Sequence, residues 1–144
     1  MRYLLDTNIV SLLASPRPDP RAVAWIRQQL STSLHVSVLV LGEIDKGIER
    51  LDAGARRDGL QSWSKFELPG YFQGRILPVD LATARRWALL DEAGRRMGRP
   101  LPVVDGLMLA TAARHDLVLV TRNISDVAQR GHPVFDPFTG TLHD

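Results

Sequence analysis

Residues 103–126 read VVDGLMLATAARHDLVLVTRNISD, and the stretch divides in two. From Val103 to about His115 the pattern predicts a helix, with the carboxylate of Asp105 in its first turn. Leu117 to Thr121 is then an unbroken apolar run of the kind that a parallel sheet buries on both faces. Directly beyond this strand come Arg122, Asn123 and Asp126, so polar chemistry is concentrated at its carboxyl end.

The same grammar recurs outward from this stretch. At the start of the chain, MRYLLDTNI predicts a short strand over 2–5 that ends at Asp6, with a helix over 8–14. Asp19 followed by Pro20 is an N-cap and first-turn pair, and the helix it opens should reach about Leu30. A second short strand begins at 35–36. Ser37 can cap a helix over 38–50 on which Leu41, Ile44 and Ile48 recur at helical spacing. Another helix fits 53–67, ended by Leu68-Pro69-Gly70. Residues 75–80 contain a strand, and Asp80 can cap a helix from 81 to about 97. Residues 132–135 predict a last strand, and the residues after Asp136 show little periodicity. Short strands alternating with helices imply an α/β fold with a mostly parallel central sheet flanked by helices.

A chain of 144 residues suits one domain with a sizeable core. With 44% hydrophobic and 24% charged residues it reads as soluble and globular. The absence of cysteine excludes disulfides and thiolate metal sites. It also fits a reducing cytosol, and the expected location is cytoplasmic. No signal-peptide-like start and no run of transmembrane length is present. The formal net charge is +2, and all the basic residues except Lys46 and Lys65 are Arg. Arg suits bidentate phosphate contacts, which makes a polyanionic partner plausible, although a general compositional bias gives the same count.

In parallel sheets, ligands bind beyond the carboxyl ends of the strands. Asp6, Glu43, Asp105 and the segment Thr121–Asn123 can all converge there. Grouped carboxylates repel one another unless a cation neutralises them. A hard divalent ion such as Mg²⁺, or Mn²⁺, does so with oxygen ligands and can meet substrate phosphate. Each acid also has a plainer reading. Asp6 can cap the helix near Asn8, Glu43 can lie on a solvated helix face, Asp105 can complement a helix dipole, and Asp126 can cap a short helix over 127–130. The joint arrangement carries the argument. The four histidines and Trp25, Trp63 and Trp87 are expected to serve packing or solvent-facing roles. No glycine-rich stretch has a nucleotide-binding context.

The stretches YLLDTNIV (3–10), VSVLVLGEIDKGIERL (36–51), VVDGLMLATAARHDLVLVTRNISDV (103–127) and HPVFDPF (132–138) together resemble the PIN-domain family. Within it, they resemble the VapC-type toxins of bacterial toxin–antitoxin pairs. The resemblance implies a PIN-like nuclease domain over 1–138, with a C-terminal tail over 139–144. It also implies a metal-dependent endoribonuclease in which Asp6, Glu43 and Asp105 match the family's first three acids. Many members carry a fourth acid where this chain has Asn123. Asn123 is expected in the inner network, and Asp126 as a cap or outer acceptor. Gly106 stands where Ala is frequent, and Val127 where an aromatic is frequent. Thr121 could orient water or phosphate, and Arg122 could face phosphate or an acidic partner. The family further implies a homodimer and a cognate antitoxin that covers the groove and alone contacts operator DNA. A DNA nuclease and a non-catalytic module acting through protein binding are the alternatives.

Overall fold

The structure is a computed structural model that describes residues 1–144. Its first strand, β1 (Tyr3–Leu5), is flanked on one side by β2 (Leu34–Ser37) and on the other by β4 (Val118–Val120), both parallel to it. β3 (Ile76–Leu77) joins β2, and β5 (Val134–Asp136) joins β4, again in parallel. The sheet is completed by β6 (Thr141–His143), antiparallel to β5, and the strand order is β3-β2-β1-β4-β5-β6. Leu4 and Leu5, which point to opposite faces, are both buried, as are all three residues of β4. The sheet is therefore covered on both sides, as its uninterrupted apolar strands require.

The helices are α1 (Thr7–Val10, continued by a tight turn over Ser11–Ala14), α2 (Pro20–Gln28), α3 (Val38–Glu49), α4 (Ala55–Ser62), α5 (Leu68–Tyr71), α6 (Leu81–Arg96), α7 (Val103–Arg114) and α8 (Ile124–Val127). The expected caps are in place. Asp19 accepts from the Arg21 and Ala22 amides, Ser37 from Leu39 and Asp80 from Thr83, each satisfying first-turn N–H groups that have no partner within the helix. α7 buries Met108, Leu109, Ala110 and Ala112 and packs closely along α6. No helix is long and apolar enough to cross a membrane.

Two expectations need correction. The helix of residues 53–67 does not stop at Leu68-Pro69-Gly70. It widens into a π-helical turn over Trp63–Glu67 and continues as α5 to Tyr71. Pro69 follows directly after this wider turn, which the Leu68 amide closes on the Trp63 carbonyl. The turn is pinned by the buried Ser64, whose hydroxyl donates to Asp45 on α3 at 2.6 Å. The short helix expected over 127–130 lies instead at Ile124–Val127, so Asp126 is inside it and does not cap it. The C-terminal tail over 139–144, for which the sequence offers no element, holds β6, entered through a turn in which Gly140 adopts φ +75°.

The α6–α7 contact explains Gly106. A Cβ at this position would lie 3.0 and 3.1 Å from two atoms of the Trp87 indole and 3.3 Å from Leu101. The ring would have to give by a few tenths of an ångström to admit a methyl. Gly106→Ala sets a helix-propensity gain of about 1 kcal/mol against overpacking of about 1–3 kcal/mol; the expected outcome is a net loss of stability, and Trp87→Phe in the same chain should recover part of it. Urea titration of the two single variants and the double variant checks this; strictly additive effects would disconnect the two positions.

Candidate functional site

β1 is the strand at which the connections change direction, since β2 and β3 lie to one side and β4 and β5 to the other. Such a switch point opens a crevice beyond the carboxyl ends of the two central strands. Asp6 follows β1 and Thr121 follows β4, and the pair flanks this crevice. The Asp6 amide continues the ladder by donating to the Val120 carbonyl at 2.9 Å, so the backbone delivers the carboxylate to the edge of the core.

Asp6 is both a helix cap and a member of an acidic cluster. Its Oδ1 accepts from the Thr7 amide at 2.7 Å, and its Oδ2 accepts from the Thr121 hydroxyl at 2.7 Å. Thr121 is fully buried, and its oxygen also accepts from the Asn8 side chain at 3.3 Å and the Asn123 amide at 3.0 Å. Asn8 in turn accepts from the Arg122 amide at 3.2 Å. Glu43, on the second turn of α3, accepts from the Thr7 hydroxyl at 2.5 Å. Asn123 donates through one Nδ2 to Asp105 at 3.1 Å and to Asp126 at 3.0 Å.

Asp6, Glu43, Asp105 and Asn123 are thus brought to one place, joined by Asp126. Asp126 shares its amide partner with Asp105, which puts it inside the network. Thr7 and Asn8 had no assigned role from sequence. Their signal was adjacency, a hydroxyl and an amide immediately after a strand-end acid. Thr121 holds a carboxylate through its hydroxyl. Arg122 lies with its guanidinium 4.7 Å from the centre of the Phe138 ring. None of the four histidines bonds to these acids; His132, for example, meets the Leu117 carbonyl at 2.6 Å.

The electrostatics are those of uncompensated negative charge. Burial pushes the Asp6 carboxyl above its ordinary range; the bonds from Thr121 and Thr7 oppose this, and Glu43 adds to it. Burial also raises Asp105, helped by the charges of Asp6, Asp126 and Glu43, and its carboxyl is pushed up to about 6. The ion pairs of the chain, Arg57–Glu49 and Arg95 and Arg96 with Glu92, lie elsewhere.

The donor set is all oxygen, which suits Mg²⁺ or Mn²⁺. Glu43, Asp105 and Asp126 each keep one carboxylate oxygen that no hydrogen bond uses. As placed, no three Asp, Glu or His side chains already surround one ion-sized point. The fit of a divalent cation rests on the chemistry and coupling of the acids.

A cavity of about 640 Å³ opens beside Thr7 and Glu43 and runs along α3 past Ile44, Ile48 and Leu51 to Arg56 and Trp63. One end is acidic and the rest is largely apolar.

The raised carboxyl of Asp105 predicts a pH dependence. Its folded-state pKa of about 6 exceeds the ordinary aspartate value near 4. The folded state therefore binds this proton more tightly than the unfolded chain does. The stability contribution is full below about pH 4 and is lost as pH rises through about 6. Without divalent ions, the thermal midpoint of the wild type should fall across that window relative to Asp105→Asn, which cannot ionise. Parallel midpoint-against-pH curves for the two proteins would contradict the raised pKa.

Residues 3–127 match the model of the PIN domain family. VapC ribonuclease Y4jK of Sinorhizobium fredii is 32% identical over 135 residues, covering 94% of this chain and 96% of that protein. Toxin FitB of Neisseria gonorrhoeae is 30% identical over the same length, covering 94% and 97%. The crystal structure of FitAcB from Neisseria gonorrhoeae superposes with a TM-score of 0.89 at 29% identity, covering 94% of this chain and 98% of that one. The matched region spans all the acids described above, and the chain belongs to the PIN domain family, among its VapC-like toxins.

Proposed function

We propose that this protein is a metal-dependent endoribonuclease toxin restrained by a cognate antitoxin, with Asp6, Glu43 and Asp105 holding Mg²⁺ or Mn²⁺ and Asn123 completing the catalytic network. The observation that carries this reading is the gathering of Asp6, Glu43, Asp105 and Asp126 from four elements at the sheet's switch point, with no Lys or Arg paired to them. The similarity to a protein named as a ribonuclease supports RNA as the substrate over DNA.

When bound, the ion would supply Lewis-acid polarisation of the phosphodiester and neutralise charge at the leaving oxygen. The chain's own residues prepare for this. Thr7 and Thr121 fix the Asp6 carboxylate in one orientation by donating to its two oxygens, Thr7 through its amide and Thr121 through its hydroxyl. The Thr7 hydroxyl holds Glu43 towards the same crevice. Asn123 spaces Asp105 from Asp126 without adding a charge. The ribose and bases are left to the neighbouring cavity, where Arg56 provides the one cation in its lining.

The same cavity suits an inhibitor. A segment that is apolar along most of its length and ends in Arg would match an apolar wall ending at Glu43. FitAB has been solved bound to a DNA fragment, and at 29% identity and a TM-score of 0.89 it supports a toxin–antitoxin complex of the same kind for this chain. In that reading the antitoxin makes the operator contact, and the toxin is a homodimer within the complex.

Asp6→Asn is expected to retain the fold and lose most cleavage, by about 100-fold or more, because a charged ligand is replaced by a neutral one. Cleavage of RNA and of DNA under Mg²⁺ and Mn²⁺, set beside circular dichroism of the variant, tests the assignment and the choice of substrate. Activity close to that of the wild type would remove Asp6 from the site.

Expression of the chain alone should slow bacterial growth, and coexpression with the product of a small adjacent gene should restore it and yield a stable complex. Size-exclusion chromatography with light scattering would read both partner binding and the copy number of the toxin. Normal growth on expression of the soluble, folded chain would argue against a toxin.

A further inference from the structure

α8 is a single turn of helix, too short to be stable by itself, yet it follows Asn123 and carries Asp126. Two arginines from outside the helix hold its carbonyls. Arg130 donates through Nε to the Asp126 carbonyl at 2.7 Å, and Arg99 donates through one nitrogen to the carbonyls of Ser125 at 3.1 Å and Ala128 at 3.2 Å. Such donors satisfy the unpaired carbonyls at a helix C-terminus. Arg130 also donates through a second nitrogen to the Arg99 carbonyl at 3.0 Å, which ties the loop to the connector after α6.

The connector is shaped to receive this guanidinium. Gly94 is buried within α6, and its carbonyl accepts from the Arg99 amide at 2.9 Å. A Cβ on Gly94 would lie 2.7 Å from the Arg99 carbonyl oxygen and 2.8 Å from an Arg130 nitrogen. The bare backbone therefore lets the connector and the arginine sit directly against the helix. Arg130 itself is presented between Gln129 and Gly131, which adopt φ +60° and +82°.

We propose that Arg130, seated against Gly94 and coupled to Arg99, is a positioning residue that sets the Asn123–Asp126 loop against Asp105. The path is continuous: Gly94 and Arg99 locate Arg130, Arg130 locates the Asp126 backbone, and Asn123 bonds both Asp126 and Asp105. Arg130 touches none of the reacting atoms in this scheme. Its consequence for the ion rests on the nuclease reading above; its control of the loop does not.

The test compares the full-length wild type with Arg130→Ala, Arg130→Lys and Gly94→Ala. Nitrogen–proton spectra of the metal-free proteins report the Asn123 side-chain amide, calorimetry reports Mg²⁺ affinity, and RNA cleavage reports kcat and KM separately. Arg130→Ala is expected to shift the Asn123 resonances, weaken Mg²⁺ binding by about tenfold and lower kcat with KM little changed. Gly94→Ala should act in the same direction by displacing the guanidinium. Arg130→Lys should restore only part of the loss, because an ammonium lacks the planar fork that reaches two carbonyls at once. If Arg130→Ala does not fold, Arg130→Lys and Gly94→Ala give the same readouts. Unchanged Asn123 resonances and Mg²⁺ affinity in folded variants, with only a lower thermal midpoint, would overturn the proposal. A wild type that neither binds Mg²⁺ nor cleaves RNA would refute the nuclease reading, and the Asn123 resonances would still decide the role of Arg130.

Discussion

Mutual repulsion among acids held at the edge of a hydrophobic core is the constraint around which this structure is arranged. Asp6 is largely buried; the charge of Glu43 raises its carboxyl further, and those of Asp6, Asp126 and Glu43 raise that of Asp105. Left to itself, such a group would spread apart or take up protons. The neighbouring side chains prevent the first of these. Thr7, Asn8, Thr121 and Asn123 are neutral, and each donates to at least one carboxylate of the cluster, Thr7 through both its amide and its hydroxyl. Using neutral donors keeps the acids in place while leaving their charge uncompensated, which is the state a hard cation would bind.

Much of the fold was legible because local chemistry defines its elements. Asp19-Pro20, Ser37 and Asp80 cap helices with their own side chains, and the run 117–121 is apolar because both faces of β4 are covered. A strand-end acid at Asp6 could be read from one short stretch. Its placement opposite Thr121 could also be anticipated, because only a parallel arrangement brings both carboxyl ends to one edge.

What sequence could not disclose depends on partners remote in the chain. The π-helical turn at Trp63–Glu67 is stabilised by a bond from Ser64 to Asp45, which lies nineteen residues earlier; nothing in WSKFE announces the wider turn. β6 is mostly exposed and forms only because β5 offers an open edge, so it lacks the apolar periodicity by which strands are recognised. The roles of Thr7 and Asn8 depend on Glu43 and Thr121 arriving from other elements. Arg99 and Arg130 looked like two more members of an Arg-rich composition until the backbone of α8 placed its carbonyls against them.

Asn123 shows how a departure from the commoner family pattern fits this framework. A carboxylate there could only accept hydrogen bonds, and it would add a further negative charge next to Asp105 and Asp126. The amide instead donates to both, at 3.1 and 3.0 Å. Its bond to Asp105 favours the ionised form and opposes the rise caused by burial and by the other acids. The neutral residue thus holds two repelling carboxylates near each other while one oxygen of each remains free. Asp126, three residues on, brings a carboxylate close to the place where, by the resemblance, many members carry a fourth acid. In the proposed site the amide and the displaced carboxylate would act as a pair, joined by the short helix that Arg99 and Arg130 hold.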